Sequence, residues 1–100
     1  MNIVDICKVL SNQGRVEILG WLKEPEEHFP PQVNVPNFDQ GVCVCHIQDK
    51  IGLSQSATSH YLNMMEKAGL LLSTRIGKWT YYRRNEATID AFISNLKTGL

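Results

Sequence analysis

Apolar residues return at helical spacing from the start of the chain: Ile3, Ile6, Cys7 and Leu10 share one face of a first helix. Ser11 or Asn12 is placed to cap a second, which Val16, Ile18, Leu19 and Leu22 fill and Pro25 ends. All four prolines fall within residues 23–41, which read as one long irregular loop. Phe29, Val33, Val35 and Phe38 are interspersed there, so the loop is expected to cover part of the core or line a small pocket. A short helix follows from Val44 to Ile51 with Ile47 and Ile51 facing inward. Gly52 supplies its turn, Leu53 is expected to plug inward, and Ser54 caps the next helix, which runs to about Ala68 before Gly69 ends it. Leu71–Ile76 and Trp79–Arg84 then flank Gly77-Lys78, a two-residue loop with glycine first, as a type II′ hairpin turn requires. That loop pairs Ile76 with Trp79 and Thr74 with Tyr81, with Arg75, Thr80, Tyr82 and Arg84 on the other side. The chain closes with a helix from about Glu86, where Ile89, Phe92, Ile93 and Leu96 follow i, i+3, i+4, i+7.

A short helix, a glycine turn, a longer helix and a two-stranded wing make a winged helix-turn-helix. The expected class is therefore mainly α with a β wing, in a single domain over residues 1–100. The longer helix carries two unlike stripes. Ala57, Thr58, Tyr61, Leu62, Met65 and Ala68 should be core. Opposite them lie Gln55, Ser56, Ser59, His60 and Asn63, short hydrogen-bonding side chains without a charge among them. A solvated surface helix ordinarily carries Glu and Lys there, because these favour the helix. Ser54, Ser56, Thr58 and Ser59 accept a propensity cost that suits close approach to base edges in a major groove. Gln55 can pair bidentately with adenine, Ser56 and Ser59 can reach bases or phosphates, and His60 can donate to either.

The formal net charge is zero, which alone argues against a nucleic-acid binder, but the charges are unevenly placed. Residues 1–49 hold three cations against seven carboxylates, whereas residues 50–84 hold six cations against Glu66 alone. A basic segment within a neutral chain is the footprint of a localised polyanion contact. Arg75 and Lys78 flank the wing tip, and Arg84 can share its polar face, so the wing is expected to sit on phosphates beside the groove. No apolar run nears the roughly 20 residues a bilayer span needs, and no signal peptide is read at the N-terminus, so a cytoplasmic protein without membrane contact is expected. Three cysteines is an odd number, which fits free thiols in a reducing compartment. No glycine-rich phosphate cradle or nucleophile–base arrangement points to an enzyme.

The segments Leu10–Leu19, Gly52–Leu62, Ala68–Leu71 and the hairpin with Gly77 and Tyr81-Tyr82 strongly resemble the ArsR/SmtB family of small bacterial repressors. The resemblance spans about residues 3–96, interrupted by the Pro-rich loop. It implies a homodimer built through the first and last helices, in line with the amphipathic ends of this chain. It also implies an operator of double-stranded DNA with an imperfect inverted repeat, and release when an inducer binds. DNA binding itself calls for no cofactor.

Cys43-Val44-Cys45-His46-Ile47 resembles the Cys-Val-Cys-Asp-Leu box of the arsenic- and soft-metal-sensing members. His46 replaces the aspartate, and Gln48 stands where some arsenic sensors carry a third cysteine. Thiolates suit soft ions such as arsenite, cadmium or lead. Residues i and i+2 point the same way only in extended backbone, so a chelating pair needs the helix to begin near Cys45 or to distort. A helix N-terminus would lower the thiol pKa. Cys7 is a further candidate ligand, from either subunit. The final helix has Asp90 but no histidine, so the zinc site of SmtB-like members is not expected. The alternatives are cysteines that are merely small buried hydrophobes, a redox or organic inducer, or a winged-helix module that binds protein.

Overall fold

The computed structural model describes residues 2–100. Met1, the first residue of the expected domain, lies outside them. Asn2 opens α1 (Ile3–Leu10) by accepting the Asp5 N–H at 3.2 Å, and the helix buries Ile6 and Val9. The two candidate caps that follow divide the work. Ser11 Oγ donates back to Lys8 O at 2.7 Å and closes α1, while Asn12 Oδ1 accepts the Arg15 N–H at 3.0 Å and opens α2 (Gln13–Trp21).

The stretch 23–41 is not wholly irregular. Pro25 ends α2 but also starts the four-residue helix α3 (Pro25–His28), its fixed φ suiting the first helical position. After α3, Phe29 is buried and Phe38 is half-buried against the core, as expected of a covering loop. Val33, by contrast, is 90% exposed.

A strand absent from the sequence reading, β1 (Val42–Cys43), runs directly into α4 (Val44–Ile51). Gly52, at φ 75°, ends α4 in the left-handed region, and Ser54 Oγ accepts the Ala57 N–H at 3.1 Å to start α5 (Gln55–Lys67). Leu53 does not plug inward: it is exposed in the turn, and the interior is filled by Ile47 and Leu62, both fully buried. The hairpin forms as expected from β2 (Leu71–Ile76) and β3 (Trp79–Arg84), with Thr74 opposite Tyr81 and Ile76 opposite Trp79. Gly77 at φ 61° provides its turn. The chain ends in α6 (Glu86–Gly99), capped by Asn85.

The wing is therefore a three-stranded antiparallel sheet in the order β1-β3-β2, with Val42 opposite Tyr82 and Cys43 opposite Tyr81. Tyr81 and Tyr82 point to opposite faces of β3 and are both buried, Tyr82 in the core and Tyr81 beside the thiol cavity that the loop covers. One core joins the elements: Ile6, Ile18, Val42, Ile47, Leu62, Met65 and Leu70 are its fully buried members. No helix among the described residues is long and apolar enough to cross a membrane.

Candidate nucleic-acid interface and thiol site

The amphipathic split of α5 decides what the helix can offer. Thr58, Leu62 and Met65 are buried, Ala57, Tyr61 and Ala68 are half-buried, and Gln55, Ser56, His60 and Asn63 are exposed. Ser59 is half-buried at the edge of the outer stripe. The inner face is fixed by packing and by Tyr61, whose hydroxyl accepts from Asn12 Nδ2 at 3.2 Å while the Arg15 guanidinium lies 5.0 Å from its ring. The start of α2 thus holds α5 by a polar bond as well as by apolar contact. The one acid on the helix, Glu66, accepts the Ser73 hydroxyl of β2 and is drawn to the wing rather than toward the outer stripe.

On the wing, Arg75 and Lys78 are exposed. Arg75 Nε donates to Gly77 O at 3.1 Å and stiffens the tip, and the Lys78 ammonium lies 5.5 Å from the Trp79 ring. Arg84 does not share this surface. Its guanidinium is paired with Glu86 at 2.9 and 3.0 Å and donates to Leu19 O at 3.2 Å, with only 12% of its side chain exposed. Two carboxylate bonds and a half-buried carbonyl leave it no free fork for a phosphate, a competition that a count of cations does not reveal.

The thiols occupy the junction of β1 and α4. Cys43 has extended backbone at the N-cap, and Cys45 is the second residue of the helix. This one-residue offset between strand and helix brings the sulfurs of residues i and i+2 to 2.8 Å, with Cys45 Sγ donating to Cys43 Sγ. Both sulfurs thus lie on the same side of the junction while the helix stays regular. Cys43 is buried and Cys45 half-buried. They line a cavity of about 120 Å³ together with Gln32, Asn34, His46 and Tyr81. His46 Nδ1 is buried with no hydrogen-bond partner among the described residues.

The expected lowering of the thiol pKa is reversed at Cys45. Its pKa is pushed up to about 11, first by burial, then because its S–H is donated to Cys43 and because charge on Cys43 opposes a second charge. The His46 backbone N–H acts the other way and is outweighed. Cys7 is exposed on α1, and among the described residues no group of three Cys, His, Asp or Glu side chains is gathered for a metal ion. Within one subunit the site offers two sulfurs.

A family model described as "Bacterial regulatory protein, arsR family" matches residues 39–73, from the end of the Pro-rich loop through β1, α4 and α5 into β2. Along nearly the whole chain, an HTH-type transcriptional regulator of Bacillus subtilis strain 168, YbzH, is 45% identical over 98 residues, 98% of this chain and 98% of that protein. The chain belongs to the ArsR family of bacterial transcriptional regulators. A putative arsenical resistance operon repressor of Halobacterium salinarum, ArsR2, is 43% identical over 54 residues, 54% of this chain and 45% of that protein. Among solved structures, the winged helix-turn-helix DNA-binding domain of Mb0332 from Mycobacterium bovis superposes with a TM-score of 0.66 at 21% identity, covering 97% of this chain and 77% of that one.

ArsR membership makes the chain a DNA-binding regulator and not an enzyme. The structure brings five sequence-predicted residues, Gln55, Ser56, Ser59, His60 and Asn63, onto one side of α5, leaves Arg75 and Lys78 exposed at the wing, and brings Cys43 against Cys45. It leaves Cys7 apart. The sequence reading missed Gln32, which reaches the thiol junction from the loop. Its one signal was an amide set between Pro31 and Val33, an uncommon polar residue in an apolar, proline-bound stretch.

Proposed function

We propose that this ArsR-family protein is a homodimeric repressor whose two α5 helices enter successive major-groove faces of an inverted repeat. In this reading Gln55, Ser56, Ser59, His60 and Asn63 face base edges, while Arg75 and Lys78 sit on phosphates. The exposed apolar residues Val4 of α1 and Ile93 of α6 lie on the two helices expected to meet across the dimer axis. The Mycobacterium bovis domain of the same fold is described as homodimeric. The inducer is a soft metalloid or metal bound by Cys43 and Cys45, with arsenite first and cadmium or lead next. Supporting it are the 2.8 Å sulfur contact, the softness of the donors, and the likeness to an arsenical resistance repressor.

The carrying observation is the position of the sulfurs: they straddle the start of α4, the helix that packs directly on α5. A ligand that closes on both pulls at the support of the reading helix. The test is a titration of a duplex selected from a random-sequence pool, with and without arsenite, on the wild type and on Cys43→Ser/Cys45→Ser. Arsenite should weaken wild-type binding at least about tenfold, the coupling of about 1.4 kcal/mol common in allosteric proteins, and leave the double variant unchanged. Failure to select any duplex would overturn DNA reading. Release that persists in the double variant would overturn the thiol site.

A further inference from the structure

The chain between Pro30 and Gln40 contains no helix or strand, yet it walls the thiol cavity through Gln32, Val33 and Asn34. It is anchored at each end by an aromatic ring, Phe29 buried and Phe38 half-buried. Between those anchors Val33 is 90% exposed, and one side chain ties the segment down. Gln32 Oε1 accepts the Cys43 N–H at 2.9 Å, and its Nε2 donates to Gly41 O and to Asn37 O, both at 3.0 Å. One of these bonds lies on β1, an edge strand, at Cys43 and another on Gly41 just before it, so the side chain supplies partners that a further strand would have given. The third folds the segment onto itself.

This has a consequence for the thiols. Cys43 is 4% exposed, and a two-sulfur ligand has to reach it as well as Cys45. The cavity, at about 120 Å³, is smaller than the roughly 150 Å³ in which a benzene ring is accommodated. A small trivalent hydroxide fits the space; a bulkier aryl substituent has to pass the strap residues Gln32, Val33 and Asn34 that line one side of it.

We propose that Gln32 is the latch of a strap, residues 30–40, that gates thiol-seeking ligands at Cys43 and sets their size limit. Its inducer-related meaning rests on the proposed function; its geometry does not. The latch opens by exchanging three hydrogen bonds with water, and the aromatic anchors keep the strap attached while it does so.

The experiment reads Cys43 alkylation by iodoacetamide in the full chain, by peptide mass mapping, with exposed Cys7 as the reference thiol in the same molecule. Gln32→Ala should speed Cys43 about tenfold relative to Cys7, the scale expected when a group of hydrogen bonds is lost. Gln32→Glu keeps the acceptor but not the donors and should fall between. Val9→Ala, a core truncation in α1, should leave the Cys43-to-Cys7 ratio within about twofold. An unchanged ratio in Gln32→Ala overturns the latch, and so does an equal rise in Val9→Ala, which would assign the exposure to general unfolding. In a second arm, phenylarsine oxide should gain more than arsenite in binding rate from Gln32→Ala; equal gains overturn the size limit. Because alkylation needs no metalloid, a wild type that ignores arsenite sinks the inducer reading and leaves the latch to be judged on the first arm.

Discussion

The raised pKa of Cys45 separates two kinds of inducer by their pH dependence. At a pKa of about 11 against an ordinary 9.0, about one molecule in ten thousand carries the Cys45 thiolate at pH 7. A divalent cation such as cadmium has to expel that proton. Its affinity should therefore rise with pH, at least about tenfold per unit from Cys45 alone and about a hundredfold between pH 6 and pH 8. Arsenous acid is neutral over this range and behaves differently. Two As–S bonds form, two As–O bonds break, arsenic stays trivalent, and both thiol protons leave in two molecules of water. No proton is released, so its affinity should stay level from pH 6 to pH 8. The assay is titration of the ultraviolet thiolate–metal and thiolate–arsenic absorption at fixed ionic strength, with Cys7 replaced by serine so that the pair alone reports. A cadmium affinity that flattens below pH 8 would refute the reasoning, because it would require a thiol pKa lowered by the helix instead of raised by burial.

Other expectations follow from packing and charge. Leu62→Ala removes a fully buried side chain from the inner face of α5 and should cost about 2–5 kcal/mol in urea unfolding; a loss under about 1 kcal/mol would contradict the core assignment. Gln55→Ala should relax preference at one base position by about 1–3 kcal/mol, measured by competition among single-base operator variants. Lys78→Ala should weaken binding to all duplexes alike and lower the slope of log affinity against log salt by about one. Gly41→Ala should lower the melting temperature and expose Cys43 to alkylation, since a Cβ there would collide with Tyr82 O on a backbone held at φ 105°.

Patterns with a local cause were readable from the residues alone. The capped helices, the Gly77 turn and its register, and the two stripes of α5 each follow from periodicity or from one side chain's bond to its own backbone. What depended on distant partners was not. Arg84 reads as a wing cation until Glu86 and Leu19 O are seen to hold it. β1 is two residues long, too short to show alternation, and exists because β3 offers it an edge. Leu53 reads as core by hydropathy alone, and the path of the turn decides otherwise. The Cys43–Cys45 pair was legible as chemistry but not as geometry, because the extended backbone of Cys43 comes from β1, a strand the residues alone did not show. Burial then raised Cys45, overriding the helix-terminus effect on which the sequence expectation rested.

The brevity of β1 has a mechanical meaning. Its ladder to β3 consists of the pairs Val42–Tyr82 and Cys43–Tyr81, and the second of these carries one of the two sulfurs. The seam that ties the thiol junction to the wing is therefore the shortest of the sheet, two pairs against the six that join β2 to β3. Under the proposed function, a ligand gripping Cys43 would have no long relay to traverse: it would pull on a fastening two rungs long, with the β2–β3 hairpin on one side and α4, the support of α5, on the other.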